Sequence, residues 1–186
     1  MKKLTKIISI LYLSFLFIQC GNDNFSVAKG KVGELTTKTT VQELEKIFAK
    51  DSLVKILSEG AKGNNYFQDD DVYKVYEKGG KLLLKIIPKE QLDSSSVIKS
   101  VEIFDERFKT ENGLNINSTF NEVDANNAIS KIEPSFSSVT VFIDDLNATL
   151  AIDKEGLGLS DFNMKKVSKE QIPDLAKMKS FTIWFN

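Results

Sequence analysis

Apolar and polar positions change their spacing several times along the chain, and each change marks an element. Val41, Leu44, Ile47 and Phe48 recur at helical spacing and form one apolar stripe. Thr40 stands before this stripe with Glu43 three residues on, a pairing that caps a helix start by hydroxyl-to-amide and carboxylate-to-amide bonds. Leu53 to Leu57 alternates apolar and polar, the period of a strand, and Gly60 to Asp71 reads as a polar loop. Val72 to Glu77 and Leu82 to Ile87 flank Lys78-Gly79-Gly80-Lys81, which predicts a hairpin, because both central residues of the favoured two-residue turn need positive φ. Val97 to Phe104 alternates again after Ser94-Ser95-Ser96. Val139 to Ile143 and Ala148 to Ile152 form a second pair around Asp144-Asp145-Leu146-Asn147. Ile172 to Met178, with Pro173 in its first turn, is a short helix candidate. Phe181 to Phe185 reads as a closing strand with Phe181, Ile183 and Phe185 on its core face and Thr182 and Trp184 on the other.

Strands joined by hairpins with few helices predict an α+β fold, a mainly antiparallel sheet of about six to eight strands with two or three helices packed on it. The stretch from Gly113 to Val123 echoes that from Gly33 to Leu44, and Thr119 with Glu122 makes a second capping box. The echo covers about a dozen residues. It fits either a true repeat or one strand-turn-helix device used twice.

The amino terminus follows a different rule. Lys2, Lys3 and Lys6 precede an apolar run from Ile7 to Ile18, and Gln19-Cys20 follows. A helical span needs about 20 apolar residues, so this run is a secretion signal rather than a permanent span. The segment resembles the signal of bacterial lipoproteins: Phe17-Ile18-Gln19-Cys20 sits where the lipobox cysteine falls, with Gln19 in the position that usually holds a small residue. The resemblance implies that Cys20 carries lipid and that residues 1–19 are removed. It also makes residues 20–29 a tether and residues 30–186 a single domain. Two or more acyl chains anchor stably where one binds only marginally, each buried methylene contributing about 0.8 kcal/mol. The alternatives are an ordinary signal peptide with an incidental cysteine, or an uncleaved anchor.

Composition narrows the chemistry. The chain of 186 residues has no histidine and one cysteine, which excludes imidazole base catalysis, histidine metal ligation, zinc-cysteine clusters and an internal disulfide. Removing Lys2, Lys3 and Lys6 leaves 22 of the 25 basic residues against all 26 acidic ones, a net charge near −4. The charges alternate along the chain, so nucleic acid is not an expected partner. Asp69-Asp70-Asp71 lacks the alternate ligand spacing and turn glycine of a calcium loop and reads as a solvated hairpin flank. Asp144-Asp145 and Asp153-Lys154-Glu155-Gly156 read as turn residues. Ser96-Val97-Ile98-Lys99 has the Ser-x-x-Lys spacing of a serine-lysine pair, but on a strand its ends point to opposite faces. The expectation is therefore no catalytic residues, no cofactor and no metal, with Cys20 as the one functional position.

The order of elements carries a further resemblance. Val32-Gly33-Glu34-Leu35 followed by Thr39, a helix ending in Phe48, Val-rich strands and a terminal Ile183-Trp184 are similar to the RpoE-regulated lipoproteins, an envelope-stress group without established biochemical activity. Two uses of a strand-turn-helix unit also resemble the small assembly-factor lipoproteins of the SmpA/OmlA type and the inhibitor proteins built from tandem helix-plus-sheet repeats. These resemblances imply a non-enzymatic binding or structural module in the bacterial cell envelope, at the outer rather than the inner membrane. Its expected partners are the membrane, through lipid on Cys20, and an envelope protein. The alternatives are a small-ligand or lipid carrier, distinguished by an apolar cavity, and a hydrolase with a carboxylate or serine site, distinguished by convergent perturbed carboxylates.

Overall fold

The computed structural model describes residues 23–58, 70–159 and 164–185. Its main sheet has eight antiparallel strands. They are β4 (Ser52–Ile56), β5 (Val72–Tyr76), β6 (Leu82–Pro88), β7 (Ile98–Ile103), β8 (Ile129–Pro134), β9 (Ser138–Ile143), β10 (Ala148–Asp153) and β11 (Ser180–Trp184), and their order across the sheet is β4-β5-β6-β7-β11-β10-β9-β8. A small meander of two-residue strands, β1 (Val27–Ala28), β2 (Lys31–Val32) and β3 (Leu35–Thr36), forms a second sheet. Among the described residues two short α-helices accompany the sheets: α1 (Leu44–Ile47), entered through a 3₁₀ turn at Val41–Glu43, and α2 (Phe120–Asn126). The α+β class holds in outline, with the helices few and short.

The alternation read from the sequence appears as a continuous inner surface. Leu53, Val75, Leu84, Ile103, Phe181, Leu150, Val141 and Ile132 stand opposite one another in register across all eight strands. The six central members are fully buried, each contributing about 1.5–3 kcal/mol of hydrophobic stabilisation. Leu35, Leu44, Phe120 and Val123, from β3 and the two helices, belong to the same core. The opposite face is polar and partly exposed. Lys85 pairs with Glu102 across strands at 3.3 Å, the Lys131 ammonium lies 5.5 Å from the Phe142 ring centre, and the Trp184 indole N–H donates to Thr149 Oγ1 at 3.1 Å. The Gly79-Gly80 turn joins β5 and β6 with φ of 118° and 91°, the left-handed backbone that its sequence predicts.

The sheet order reads the same from either edge: helix, three strands and a fourth, twice, with the two fourth strands β7 and β11 paired at the centre. The local echo extends through both units. Thr40 N–H donates to Glu43 Oε2 at 2.7 Å, and Thr119 N–H to Glu122 Oε2 at 2.7 Å. Thr36 N–H donates to Thr39 Oγ1 at 3.0 Å, and Asn115 N–H to Ser118 Oγ at 3.2 Å. The N–H groups of Val41 and Gln42 reach the carbonyls of Ser96 and Ser94, and those of Phe120 and Asn121 reach Ala176 and Asp174. Each unit thus closes the open amide end of its own helix with the segment leading into its fourth strand. The echo between Gly33 and Gly113 is a structural repeat.

Three sequence expectations need correction. Ile172 to Met178 is not a helix. Ile172 is extended (φ −93°, ψ 119°), as the ring of the following Pro173 favours, and the carbonyls of Asp174 and Ala176 are taken by α2. A 3₁₀ turn at Lys169–Gln171 precedes it. The second difference is β8, which sequence reading passed over because Ile129 and Ile132 are three apart. A register shift between Ile129 and Lys131 admits one extra residue, so both isoleucines meet the buried Ile143 and Val141. Third, the segment read as a tether already belongs to the fold by Asp23: Asp23–Phe25 forms a 3₁₀ turn, Ser26 bridges Lys109, and Val27 is buried. Residues 1–22 and 59–69, which include Cys20 and Asp69, lie outside the described residues.

If the two boxes cap equivalent helices, Thr40→Ala and Thr119→Ala should each cost about 0.5–2 kcal/mol with the fold retained. Denaturant melts read the cost, and unchanged midpoints for both variants would show that the helices do not depend on their caps.

Candidate functional site

The amino-terminal segment meets the linker between the two units at a clamp centred on Arg107. The guanidinium donates through Nε to Asp105 Oδ1 and through Nη2 to Asp105 Oδ2, both at 2.9 Å, and through Nη1 to Glu77 Oε1 at 2.8 Å. Its carbon lies 4.7 Å from the Phe25 ring centre, and Phe25 meets Phe108 edge-on with ring centres 4.9 Å apart. Lys81 adds a contact to Asp105 at 2.9 Å. Asp105 is fully buried, and isolated burial would raise its pKa. The Arg107 hydrogen bonds outweigh that effect, with help from Lys81, and hold the carboxyl well below the usual carboxylate range. Backbone bonds lock the same junction: Lys109 N–H reaches Phe25 O at 3.0 Å, Val27 N–H reaches Lys109 O at 2.9 Å, and Gly33 N–H reaches Ser26 O at 2.8 Å. Gly33 has φ of 56°, and a Cβ there would stand 2.6 Å from the Asn24 carbonyl oxygen, so the amino-terminal segment crosses where only glycine leaves room.

Beside this clamp lies a groove of about 410 Å³, with Phe25, Ile47, Phe48 and Phe108 among its apolar lining and Lys46, Lys50, Glu34 and Asp51 among its charged lining. A larger groove of about 730 Å³ runs along the edge strand β8, bounded by Met164, Val167 and the Lys169–Asp124 ion pair. β8 pairs with β9 and with no other strand among the described residues. Edge strands of this kind accept extended peptides by main-chain hydrogen bonding.

The polar groups singled out by sequence are dispersed. Asp71 is buried and accepts from the N–H groups of Ser58 (2.7 Å) and Leu92 (2.6 Å), so it staples two loops, whereas Asp70 is exposed near Gln91 and Lys99. Ser96 Oγ accepts from Glu90 N–H at 2.8 Å, and Lys99 Nζ lies 4.0 Å from Asp70, so the two ends of the Ser-x-x-Lys motif serve different neighbours. Asp144 accepts from Ser130 Oγ at 2.7 Å within the second unit's hairpin. Lys154, read as a turn residue, is fully buried and donates to the Phe136 carbonyl at 3.2 Å. Among the described residues no three Asp, Glu or Cys side chains gather as a metal site, and no helix is long and apolar enough to cross a membrane.

Two variants test the clamp. Asp105→Asn should cost about 1–3 kcal/mol at neutral pH by weakening the bonds to Arg107 and Lys81. A depressed folded-state pKa gives stability that is complete above the unfolded value of about 3.9 and is lost as pH falls below it. The gap between wild type and variant should therefore be constant near neutrality and narrow by pH 3 in urea melts; an equal gap at both would refute the ionic role. Gly33→Ala should cost about 1 kcal/mol or more through its positive φ and the Asn24 contact, with faster amide exchange at Phe25 and Val27. Unchanged exchange there would show that the crossing does not hold the segment.

The crystal structure of the uncharacterized protein YfeY from Escherichia coli is similar in fold, with a TM-score of 0.54 and 15% sequence identity, covering 86% of this chain and 99% of that one. No protein-family profile matches the chain. No curated protein matches it either.

Proposed function

We propose that this chain is a membrane-anchored lipoprotein of the bacterial cell envelope, most simply at the outer membrane, whose domain acts as a binding module without catalytic turnover. One observation carries the reading: Asp23, already in the fold, stands three positions after Cys20, which directly follows a basic and apolar segment of the kind that serves as a secretion signal. An amino-terminal segment pinned by Arg107, Phe108 and Lys109 suits a domain that hangs from its amino terminus. Ser96 and Lys99 serve separate structural contacts, and Asp71 and Asp105 hold loops together, which favours a module over a hydrolase. The groove along β8 offers the edge on which an envelope protein partner would seat an extended segment. The reading agrees with the resemblance to the RpoE-regulated lipoproteins. A carrier of small ligands or lipids is the second reading, favoured by the partly apolar groove beside Phe25.

Cys20→Ala should abolish incorporation of labelled palmitate and leave an uncleaved precursor, both visible on a gel of metabolically labelled cells. Labelling that persists in the variant would overturn the anchor.

A further inference from the structure

We infer that the end of the domain around Phe25 rests on the phospholipid surface, with the groove of Phe25, Ile47 and Phe48 facing the headgroups. The inference builds on the proposed lipidation of Cys20. Gly21 and Asn22 alone separate that residue from Asp23, which already belongs to the fold. Three links of chain reach at most about 11 Å. A headgroup layer is about 5–8 Å deep on each side of the hydrocarbon core. An acylated Cys20 at the boundary of that core therefore leaves Asp23 at or just outside the headgroups, and the clamp on Phe25 prevents the segment from paying out further chain.

The chemistry at that end fits the location. Phe25, Ile47 and Phe48 are partly buried against the core and line the groove with their remaining surface, and Ala49 is exposed beside them. Lys46 and Lys50 share the lining of their groove with Glu34, Asp51 and Glu77, the last of these paired with Arg107. Apolar rings with adjacent long basic side chains are the side chains that settle at a bilayer interface, the rings among the headgroups and the ammonium groups on phosphates. The β8 edge lies five strand spacings from β6 in the same sheet, about 24 Å away.

The test uses the full chain, purified from membranes and reconstituted in phosphatidylethanolamine and phosphatidylglycerol vesicles whose acyl chains carry bromine. Ala49→Trp reports on the groove, and Phe136→Trp, in the exposed turn between β8 and β9, reports on the far edge; each is compared with the Trp184 background of the wild type. The expected result is quenching and a blue shift of the Trp introduced at 49, with the emission of a water-exposed ring at 136. A tryptophan at 49 that is unquenched, or quenched no more than at 136, overturns the inference. Mass spectrometry of the amino-terminal peptide reads acylation separately. Should Cys20 prove unmodified, the lipoprotein reading fails, and coupling its thiol to a maleimide phospholipid lets the same two tryptophans decide whether the surface docks.

Discussion

Everything in this fold depends on the pairing of β7 with β11. Each of the two units ends in one of these strands, and each unit alone would leave a long central edge unpaired. Joining them places Ile103 against Phe181 and Val101 against Ile183, four fully buried side chains at the middle of the core. The pairing also fixes the helices, because the chain entering each of these strands supplies the carbonyls that cap α1 and α2. Strand pairing, core and helix ends are thus coupled through two segments, 94–103 and 174–184.

What sequence reading resolves here is local. Gly79-Gly80, the Thr-x-x-Glu boxes and the alternation of Phe181, Ile183 and Phe185 each carry their conformation within a few residues, and each is found as expected. The failures share a different cause. The bulge in β8 moves one isoleucine by a residue and conceals a strand. The apolar spacing of Ile172 and Met178 imitates a helix, while the carbonyls between them bond to residues more than fifty positions earlier. Repetition of the whole unit is spelled in its caps and turns, whereas the strands between them share little beyond their period.

The candidate site shows the same division. The proposal for Cys20 rests on a linear pattern, a basic and apolar segment followed by a cysteine, and needs no fold to be read. The clamp is not: Phe25 looks like an isolated aromatic in a polar leader, and its importance comes from Arg107 and Phe108, some eighty residues on. Asp71 and Asp105 likewise sit in acidic or turn-like stretches, and only the fold reveals that they are buried staples rather than solvated charges. A pattern of charges cannot distinguish the two, since burial is decided by distant chain.

The mirrored order of the sheet has an implication for assembly. A β7 edge would recognise the β11 edge of another molecule as well as its own, so two chains could exchange halves and rebuild the same central pairing. The covalent link between the units, residues 104–112, opposes this by keeping the intramolecular edge at high local concentration. Arg107 lies within that link, fastened to Asp105, Glu77 and the Phe25 ring. By holding the linker folded against the first unit, it shortens the hinge that exchange would need to open, and so biases the chain toward closing on itself.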